Sequence, residues 1–440
     1  MQFEALSEIM RKCGVVGAGG AGFPSYAKLN KKADTIILNC AECEPLFRVH
    51  RQLLARYTYE ILTALEHVRE AVEAERIIVA IKPSYKDAIE AVEDKLQTFT
   101  HVSVCRLPEV YPAGDEVITI YEATGRVVPP GQIPISVGCI VYNVETMLNT
   151  YYAIEENRPV TAKYVTVGGA VKNPTTFRVP LGMKFSELVA LAGGTTIEDF
   201  AVLSGGAMTG RLGSMNEAVT KTTNAVFILP ENHPVILRRK SKTTLNIKRS
   251  MSSCCQCSSC TDLCPRYLLG HPIEPHLFMR AVSKGMEQDT KAITNTLFCA
   301  QCGICELYAC PQGLSPKSIM ADCKDLLRKK GVKPEPNDAA PVHPLRNFRR
   351  VQMKRLVPRL GLDNYSVKAP MVEDELNPKQ VKLLFRQHIG APAVPVVKKG
   401  AVVSSGDLIA NAADGLSVPV YSPLSGKVTE LTSDYAVIRR

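Results

Sequence analysis

The chain has 440 residues, 45% of them hydrophobic and 22% charged, with 29 glycines, 29 prolines and 15 cysteines. That length points to two to four domains, and the composition excludes a collagen, a coiled coil or wholesale disorder. A net charge of +10 favours an anionic partner without naming one. No apolar run approaches the roughly 18 residues of a membrane span, and Met1–Gly14 lacks the apolar centre of a signal peptide. The cysteines are therefore expected in a reducing cytosol, where they point to metal or redox chemistry rather than disulfides.

In chain order, Phe3–Arg11 reads as an amphipathic helix, with Phe3, Leu6, Ile9 and Met10 on one face. Gly14, Gly17, Gly19, Gly20 and Gly22 follow within nine residues, letting the backbone approach a phosphate and aim its amides at it. No strand precedes them, so the usual dinucleotide fingerprint fits poorly. Thr35–Leu38 is strand-like, Val49–Glu75 helical, Ile77–Ile81 a buried strand, Lys86–Leu96 a helix and Val102–Cys105 a strand. This alternation predicts a mostly parallel sheet covered by helices, with ligands at the strand ends. Two polar clusters, Asn39–Pro45 and Tyr111–Glu116, are placed for that role, although either acidic pair alone is more often solvated loop charge. Cys40 and Cys43 form a C-x-x-C that admits a redox dithiol, but their neighbours point elsewhere.

From Lys163 to Leu229, glycines and prolines read as hairpin turns between short strands. Two cysteine runs come next. Cys254, Cys257, Cys260 and Cys264, then Pro265, make C-x2-C-x2-C-x3-C-P, the bacterial ferredoxin pattern. Cys299, Cys302, Cys305 and Cys310, then Pro311, repeat it with one residue inserted before the last cysteine. Three cysteines spaced by three wrap three corners of a cubane, and the proline turns the chain away. In two-cluster ferredoxins the fourth cysteine of each run serves the other cluster. The pattern thus assigns Cys254, Cys257, Cys260 and Cys310 to one 4Fe-4S cluster, and Cys264, Cys299, Cys302 and Cys305 to the second. Paired zinc sites are the alternative, and two triplets match tetrahedral knuckles poorly. Cys255 is out of register and reads as a bystander, and Cys13, Cys105, Cys139 and Cys323 as incidental. Beyond them lie a proline-containing basic stretch (Lys333–Pro336, then Arg346, Arg349, Arg350, Lys354 and Arg355) and, from 392, short strands with glycine and proline turns.

Four segments in order carry a resemblance: Gly17 through Lys28, Asn39 through Arg51, Gly114-Asp115-Glu116 and Asn143-Val144-Glu145-Thr146. Together they resemble the family of the flavin-carrying, NADH-oxidising subunit of respiratory complex I. Its relatives include the C subunit of the Rnf electron-transport complex and the cobalamin reductases of propanediol-utilisation microcompartments. The resemblance implies FMN held by Gly17, Gly19, Gly20 and Lys28, the lysine reaching the flavin phosphate. Asn39, Glu42 and Glu44 would line the isoalloxazine side, and Tyr111, Gly114, Glu116, Asn143 and Thr146 complete the pocket. Glu44 would orient the nicotinamide, and no other side chain is given a catalytic role. Three positions depart from the family: Ala41 near its aspartate, Leu46 at its glycine, and Leu29-Asn30 where it carries aromatics that stack on nicotinamide. They bear on NADH specificity more than on flavin binding.

The middle region resembles the soluble-ligand-binding β-grasp domain, serving as a spacer or as a small-ligand or corrinoid platform. The C-terminal region is similar to half of the barrel-sandwich of biotinyl and lipoyl carriers, but Lys427 lacks their flanking residues, which leaves a lid or docking role. This module precedes the flavin domain in the Rnf subunit and trails the clusters here, as in the microcompartment reductases.

The expected fold is multidomain α/β plus α+β. It comprises a Rossmann-like FMN/NADH domain (1–155), a β-grasp domain (160–235), a helical ferredoxin-like two-cluster domain (245–330), a basic connector (331–391) and a barrel-sandwich half (392–440). The expected function is an oxidoreductase carrying electrons from NADH through FMN and two 4Fe-4S clusters to a corrinoid. Its expected partners are NADH, a corrinoid or corrinoid-handling enzyme, an acidic redox protein and a microcompartment shell or cargo, in the cytoplasm and inside a microcompartment. The alternative is an electron-relay subunit of an Rnf-type assembly, exchanging electrons with a ferredoxin, flavodoxin or quinone. A nucleic-acid partner is not expected, because the basic stretches lack aromatic interleaving or a recognition helix.

Overall fold

The computed structural model describes residues 1–285, 289–334 and 338–440. Glu335 and Pro336, part of the proline-rich run, lie outside the described residues. The first unit contains α1 (Phe3–Lys12), β1 (Thr35–Cys40), α2 (Val49–Arg56), α3 (Thr58–Val72), β2 (Arg76–Ile81), α4 (Lys86–Glu93), β3 (Val102–Arg106), β4 (Val110–Tyr111), α5 (Glu116–Thr124), β5 (Cys139–Asn143) and α6 (Val144–Glu156).

β1 reads Thr-Ile-Ile-Leu-Asn-Cys, and all six residues are buried, so it requires cover on both faces. It lies inside an all-parallel sheet of order β3-β2-β1-β5. Side chains alternate between the faces. Ile36 and Leu38 join one core with α1, α2, α3, α4 and α6, while Ile37 joins another with α5. Each such buried aliphatic side chain contributes about 1.5–3 kcal/mol. The chain runs from β1 outward to β3 and returns on the opposite side as β5. The loops leaving β1 and β5 therefore diverge and open a crevice at their carboxyl ends.

The segment Val49–Glu75, expected as one helix, is two. Tyr57 interrupts it with φ −118° and ψ 37°. Its hydroxyl donates to Glu373 at 2.5 Å, and Arg56 pairs with the same carboxylate at 2.8 Å. A tie to a segment over 300 residues away outweighs local helix propensity.

The second unit is a mixed sheet of β6 (Ala162–Gly169), β7 (Thr175–Pro180), β8 (Phe200–Ser204), β9 (Arg211–Gly213) and β10 (Ala225–Pro230), with α7 (Phe185–Leu191) on one side. Met371–Val372 extends its edge by pairing with β7. Short helices follow: α8 (Pro234–Lys240), α9 (Thr243–Ser253), α10 (Ser259–Asp262), α11 (Pro265–Leu268), α12 (Pro275–Ser283), α13 (Thr290–Thr294) and α14 (Pro316–Lys329). The C-terminal unit has a four-stranded and a three-stranded sheet. Gln380–Leu384, inside the stretch expected as connector, pairs with Tyr435–Arg439. This unit and the second share one hydrophobic core.

Buried polar ties join the units. Glu145 accepts from the Lys163 ammonium and, at 2.9 Å, from the Tyr164 amide, fastening α6 to β6. Lys221 donates to the carbonyls of Gly14 at 2.8 Å and Pro419 at 3.0 Å, so one side chain spans three units. Burial brings its pKa down to about 7, against the pull of Cys13. Among the described residues no helix is long and apolar enough to cross a membrane.

Candidate functional site

The crevice at the carboxyl ends of β1 and β5 holds a cavity of about 410 Å³. Gly17, Gly19, Gly20 and Lys28 line one part, Asn39, Gly114, Glu116 and Asn143 another, and Ile133, Pro134, Ile135 and Val141 an aliphatic side. The size and the mixture of backbone polar groups with apolar wall suit a drug-sized ligand.

The glycine loop precedes β1 and enters the crevice from α1. Its neck is closed by the Val16–Pro24 bridge and by the Gly17 amide donating to the Phe23 carbonyl at 2.9 Å. A Cβ at Gly19 would overlap the Asn143 side-chain amide and stand 2.9 Å from His50 Cε1. At Gly20 nothing lies within 4 Å. One glycine is thus demanded by packing behind the loop, and its neighbour leaves the front open to a ligand. The Ala18 amide donates to Thr146 Oγ1 at 3.0 Å, so Thr146 and Asn143 brace the loop from α6 and β5. Lys28 closes the 3-10 turn Ser25–Lys28 and donates to Glu116 Oε1 and the Val141 carbonyl, each at 2.9 Å. The Lys28–Glu116 pair is partly exposed, and such pairs contribute about 0.2–1 kcal/mol. An anion at the glycine loop could take over the ammonium at small cost. The residues present fit an FMN phosphate at the loop and a flat ring against the aliphatic wall.

Eight of the twelve expected cofactor residues line this cavity, namely Gly17, Gly19, Gly20, Lys28, Asn39, Gly114, Glu116 and Asn143. Glu42, Glu44, Tyr111 and Thr146 sit behind or beside it. Glu42 has φ 36° and accepts from the His50 amide at 2.8 Å and Arg51 Nε at 3.1 Å. Burial works to raise its pKa, but Arg51 and His50 outweigh it and hold the carboxyl below its usual range. Glu44, two residues on, accepts from the amides of Met208 at 3.0 Å and Thr209 at 2.8 Å in the β8–β9 loop. Burial raises its pKa in spite of those bonds. Both Glu44 oxygens are thus engaged by the second unit. Leu46, at the glycine position of the family, has φ 71°. The strain of a left-handed leucine, on the order of 1–2 kcal/mol, is offset by burying its side chain among Tyr111, Phe227 and Val351.

The loop from Tyr111 to Glu116 joins the cavity to the cysteines. Gly114 and Glu116 are cavity wall. Asp115 caps α5, accepting from the amides of Val117 and Ile118, and accepts from Arg266 at 2.9 Å. The Tyr111 hydroxyl donates to the Cys302 carbonyl at 2.6 Å. β4 ends in Tyr111 and is clipped by Val351–Gln352. Asn39 at the end of β1 donates to the Gly114 carbonyl at 3.0 Å.

None of the fifteen cysteines forms a disulfide. Cys254, Cys257, Cys260 and Cys310 line one small cavity. Burial pushes the Cys260 thiol up to about 12, with Cys310, then Cys254 and Cys257, adding to the rise. Burial likewise raises Cys302, with Cys264 the foremost charged neighbour and Cys299 after it. Cys305 is raised by burial and then by Cys299 and Cys302. These thiols gather where uncompensated thiolates repel, and iron would remove that repulsion while displacing the protons. Among the described residues no three His, Cys, Asp or Glu side chains are grouped to hold a single metal ion. A cubane spreads its ligands wider than one ion does, so this bears on zinc rather than on iron–sulfur ligation.

The two cysteine loops have matching backbones. Gln256 and Ser258 have φ 56° and 60°, and Gln301 and Gly303, at equivalent places, 57° and 85°. Each glutamine side chain donates to the first cysteine of its run, Gln256 to Cys254 Sγ and Gln301 to Cys299 Sγ, both at 3.2 Å. The inserted residue of the second run is absorbed by a π-helical turn, Cys305–Ala309, the usual way a helix takes in one extra residue. Sequence reasoning missed these glutamines, the aliphatic wall and the Asp115–Arg266 tie. The repeated Cys-x-Gln-Cys was the available signal for the first, and the proline-rich run Pro129–Pro134 for the second.

Four stretches match known families: the Nuo51 FMN-binding domain over residues 10–152, the SLBB domain over 164–212, a 4Fe-4S dicluster domain over 253–315, and the RnfC barrel sandwich hybrid domain over 363–438. The chain is 40% identical over 444 residues to the cobalamin reductase PduS of Citrobacter freundii, covering 99% of this chain and 97% of that one. It is also 40% identical over 441 residues to cobalamin reductase PduS of Salmonella typhimurium strain LT2, with the same coverages. The C component of the proton-translocating ferredoxin:NAD(+) oxidoreductase complex of Clostridium ljungdahlii is 32% identical over 295 residues, 66% of this chain and 61% of that one. A subunit of an NAD+-reducing NiFe-hydrogenase in the H2-reduced state shares the fold over 79% of this chain and 66% of its own length, with a TM-score of 0.51 at 18% identity.

Proposed function

The chain belongs to the cobalamin reductase PduS family, and from that premise we propose that it passes electrons from NADH through FMN and two 4Fe-4S clusters to a corrinoid. The observation that carries this reading is the loop Tyr111–Glu116, which is cavity wall on one side and bonded to the cysteine unit through Tyr111 and Asp115 on the other. Bound there, FMN would supply the conversion of a two-electron donor's pair into single electrons, and 4Fe-4S clusters held by the two cysteine sets would supply one-electron carriage. The protein's own part is positional. Gly17, Gly19, Gly20 and Lys28 hold the phosphate, and Asn39, Gly114, Glu116 and Asn143 line the ring's surroundings. Glu42, Glu44, Tyr111 and Thr146 brace the residues that do so.

Cys254, Cys257, Cys260 and Cys310 are proposed to ligate one cluster, and Cys264, Cys299, Cys302 and Cys305 the other. The shared cavity of the first four and the mutual effects among the second support this exchange of fourth cysteines. The β-grasp unit is proposed as a spacer that also anchors Glu44, and the C-terminal unit as a brace on the glycine loop, since Ile389 donates to the Gly22 carbonyl at 3.1 Å. The microcompartment location rests on the family resemblance.

The deciding test uses anaerobically reconstituted protein with NADH and cob(III)alamin. Reduction of the corrinoid is expected. NADH oxidation with a dye but never with cob(III)alamin overturns the acceptor. A second reading, the relay subunit with a donor other than NADH, is favoured by the engagement of Glu44 with the β8–β9 loop. Failure of NADH to bleach bound FMN in a stopped-flow trace would select it.

Hydrogen bonds to cluster sulfurs tune the reduction potential. The Gln301→Leu variant is therefore expected to keep its iron while the potential of the cluster on Cys299 falls. An EPR-monitored redox titration reads this shift, and an unchanged midpoint would remove Gln301 from the tuning.

A further inference from the structure

We propose that the exposed face of α9, together with the loop 254–258 that follows it, is the docking surface for an acidic protein that accepts single electrons. The proposal rests on reading the eight cysteines as ligands of two clusters, and it assigns the electron exit to the Cys254 set.

The two sulfur sets differ in their surroundings. Cys264 and Cys305 are buried, and Cys302 lies under Tyr111, against the flavin unit. Cys257 is exposed, and Cys254, Cys260 and Cys310 are half-buried. Cys299 and Cys302 are half-buried too, so the exposed Cys257 is what sets the outer group apart and places it nearer solvent.

The surface around the outer set is mainly basic, its two acids being Asp322, which accepts from Thr243 at the start of α9, and Asp262, which accepts from Ser258 and Arg349. No acid occurs between Glu231 and Asp262, whereas Arg238, Arg239, Lys240, Lys242, Lys248 and Arg249 do. Three of these are spent internally: Arg238 on the Gly313 carbonyl, Arg239 on the carbonyls of Ala207 and Gly210, and Lys240 on Glu231. Lys242, Lys248 and Arg249 are exposed, and among the described residues they make no ion pair. At helical spacing they share a stripe with Leu245, which is 52% exposed, and α9 leads directly into Cys254. Next to the sulfurs the exposed side chains are neutral: Met251, Ser253, Gln256 and Pro311. A neutral centre with a charged rim is the make-up of a transient protein interface, in which charge steers the encounter.

In the other basic stretch Lys354 and Arg355 are also exposed, but the three arginines before them are spent on ion pairs. Arg346 and Arg350 pair with Glu122 at 2.5 and 3.3 Å, and Arg349 with Asp262 at 2.9 Å. A small molecule has no enclosing pocket at the outer sulfurs. The cavity among the outer sulfurs is about 30 Å³, against the roughly 300 Å³ or more of a small-molecule pocket. At this surface a protein acceptor would bring its own redox group to the outer set, a route that leaves the reduction of free cob(III)alamin in place.

The test uses the reconstituted holoprotein, oxidised rubredoxin as a small acidic one-electron probe, and two charge reversals. One is Lys248→Glu/Arg249→Glu; the other, on an exposed control site, is Lys354→Glu/Arg355→Glu. With clusters reduced by dithionite and excess reductant removed, one electron passes from a cluster to the rubredoxin Fe(III), giving Fe(II), with no proton or bond exchanged. The second-order rate at low ionic strength is expected to fall at least about tenfold in the first variant only, and its salt dependence to flatten. The dissociation constant for rubredoxin is expected to rise by a similar factor, while iron content and reoxidation by neutral benzoquinone stay unchanged. Equal losses in both variants, or wild-type transfer that is absent or insensitive to salt, overturn the proposal. Because dithionite bypasses NADH and FMN, failure of the NADH reading leaves this result standing, and absent iron indicts the cluster reading instead.

Discussion

Cys310→Ala is expected to remove the cluster bound by Cys254, Cys257 and Cys260, not the one bound by the triplet of its own run. The two triplets lie over forty residues apart in sequence, and a chain reading one run at a time would place Cys310 with Cys305. The π-helical turn Cys305–Ala309 carries Cys310 away from its own triplet and into the cavity lined by Cys254, Cys257 and Cys260. Cys260 registers Cys310 as its foremost charged neighbour after burial. Iron should fall from about eight to about four atoms per chain. Which cluster is lost is read by EPR against two references, Cys257→Ala and Cys302→Ala. The residual signal of Cys310→Ala should match that of Cys257→Ala. A match to Cys302→Ala would return the fourth cysteine to its own run and dismiss the exchange.

Gly19→Ala is expected to weaken FMN binding on the order of ten- to a hundredfold, the equivalent of the ~1–3 kcal/mol that overpacking costs. The added methyl collides with the Asn143 side-chain amide and comes within 2.9 Å of His50 Cε1. The loop must then shift off Asn143, and the Ala18 bond to Thr146 shifts with it. Gly20→Ala makes the contrast. Its methyl meets nothing within 4 Å and projects where the ligand approaches. Both variants should lose FMN in a fluorescence titration, but only Gly19→Ala should lower the melting temperature of the cofactor-free protein. Equal melting temperatures would mean that the loop yields freely at Gly19. Iron content should be unaffected in both, because the loop carries none of the eight cysteines proposed as ligands.

Residue type and spacing carried much of the site. The glycine loop and the two cysteine runs were legible because each is defined within a dozen residues, and the asparagines at the ends of β1 and β5 only through the family resemblance. The acids were not. Glu42 and Glu44 look equivalent in the chain, yet the positive φ at Glu42 turns one toward Arg51 and the other toward the β8–β9 loop. The helix break at Tyr57 was equally hidden, since its cause, Glu373, lies in another unit. The basic stretches at Lys248–Arg249 and Arg346–Arg350 also read alike, but one is solvent-facing and the arginines of the other are held in ion pairs.

The amino-acid sequence by itself determined the kinds of chemistry available: thiol ligands spaced for a cubane, amides freed by glycine to meet a phosphate, and strands apolar enough to require cover on both sides. Those properties are local, set by side-chain type and by separations of a few residues. Only the tertiary structure decided which of two neighbouring carboxylates meets a cation and which basic residues remain free to meet a partner. Each of those outcomes depends on distances between residues far apart in the chain, and packing and burial settle them.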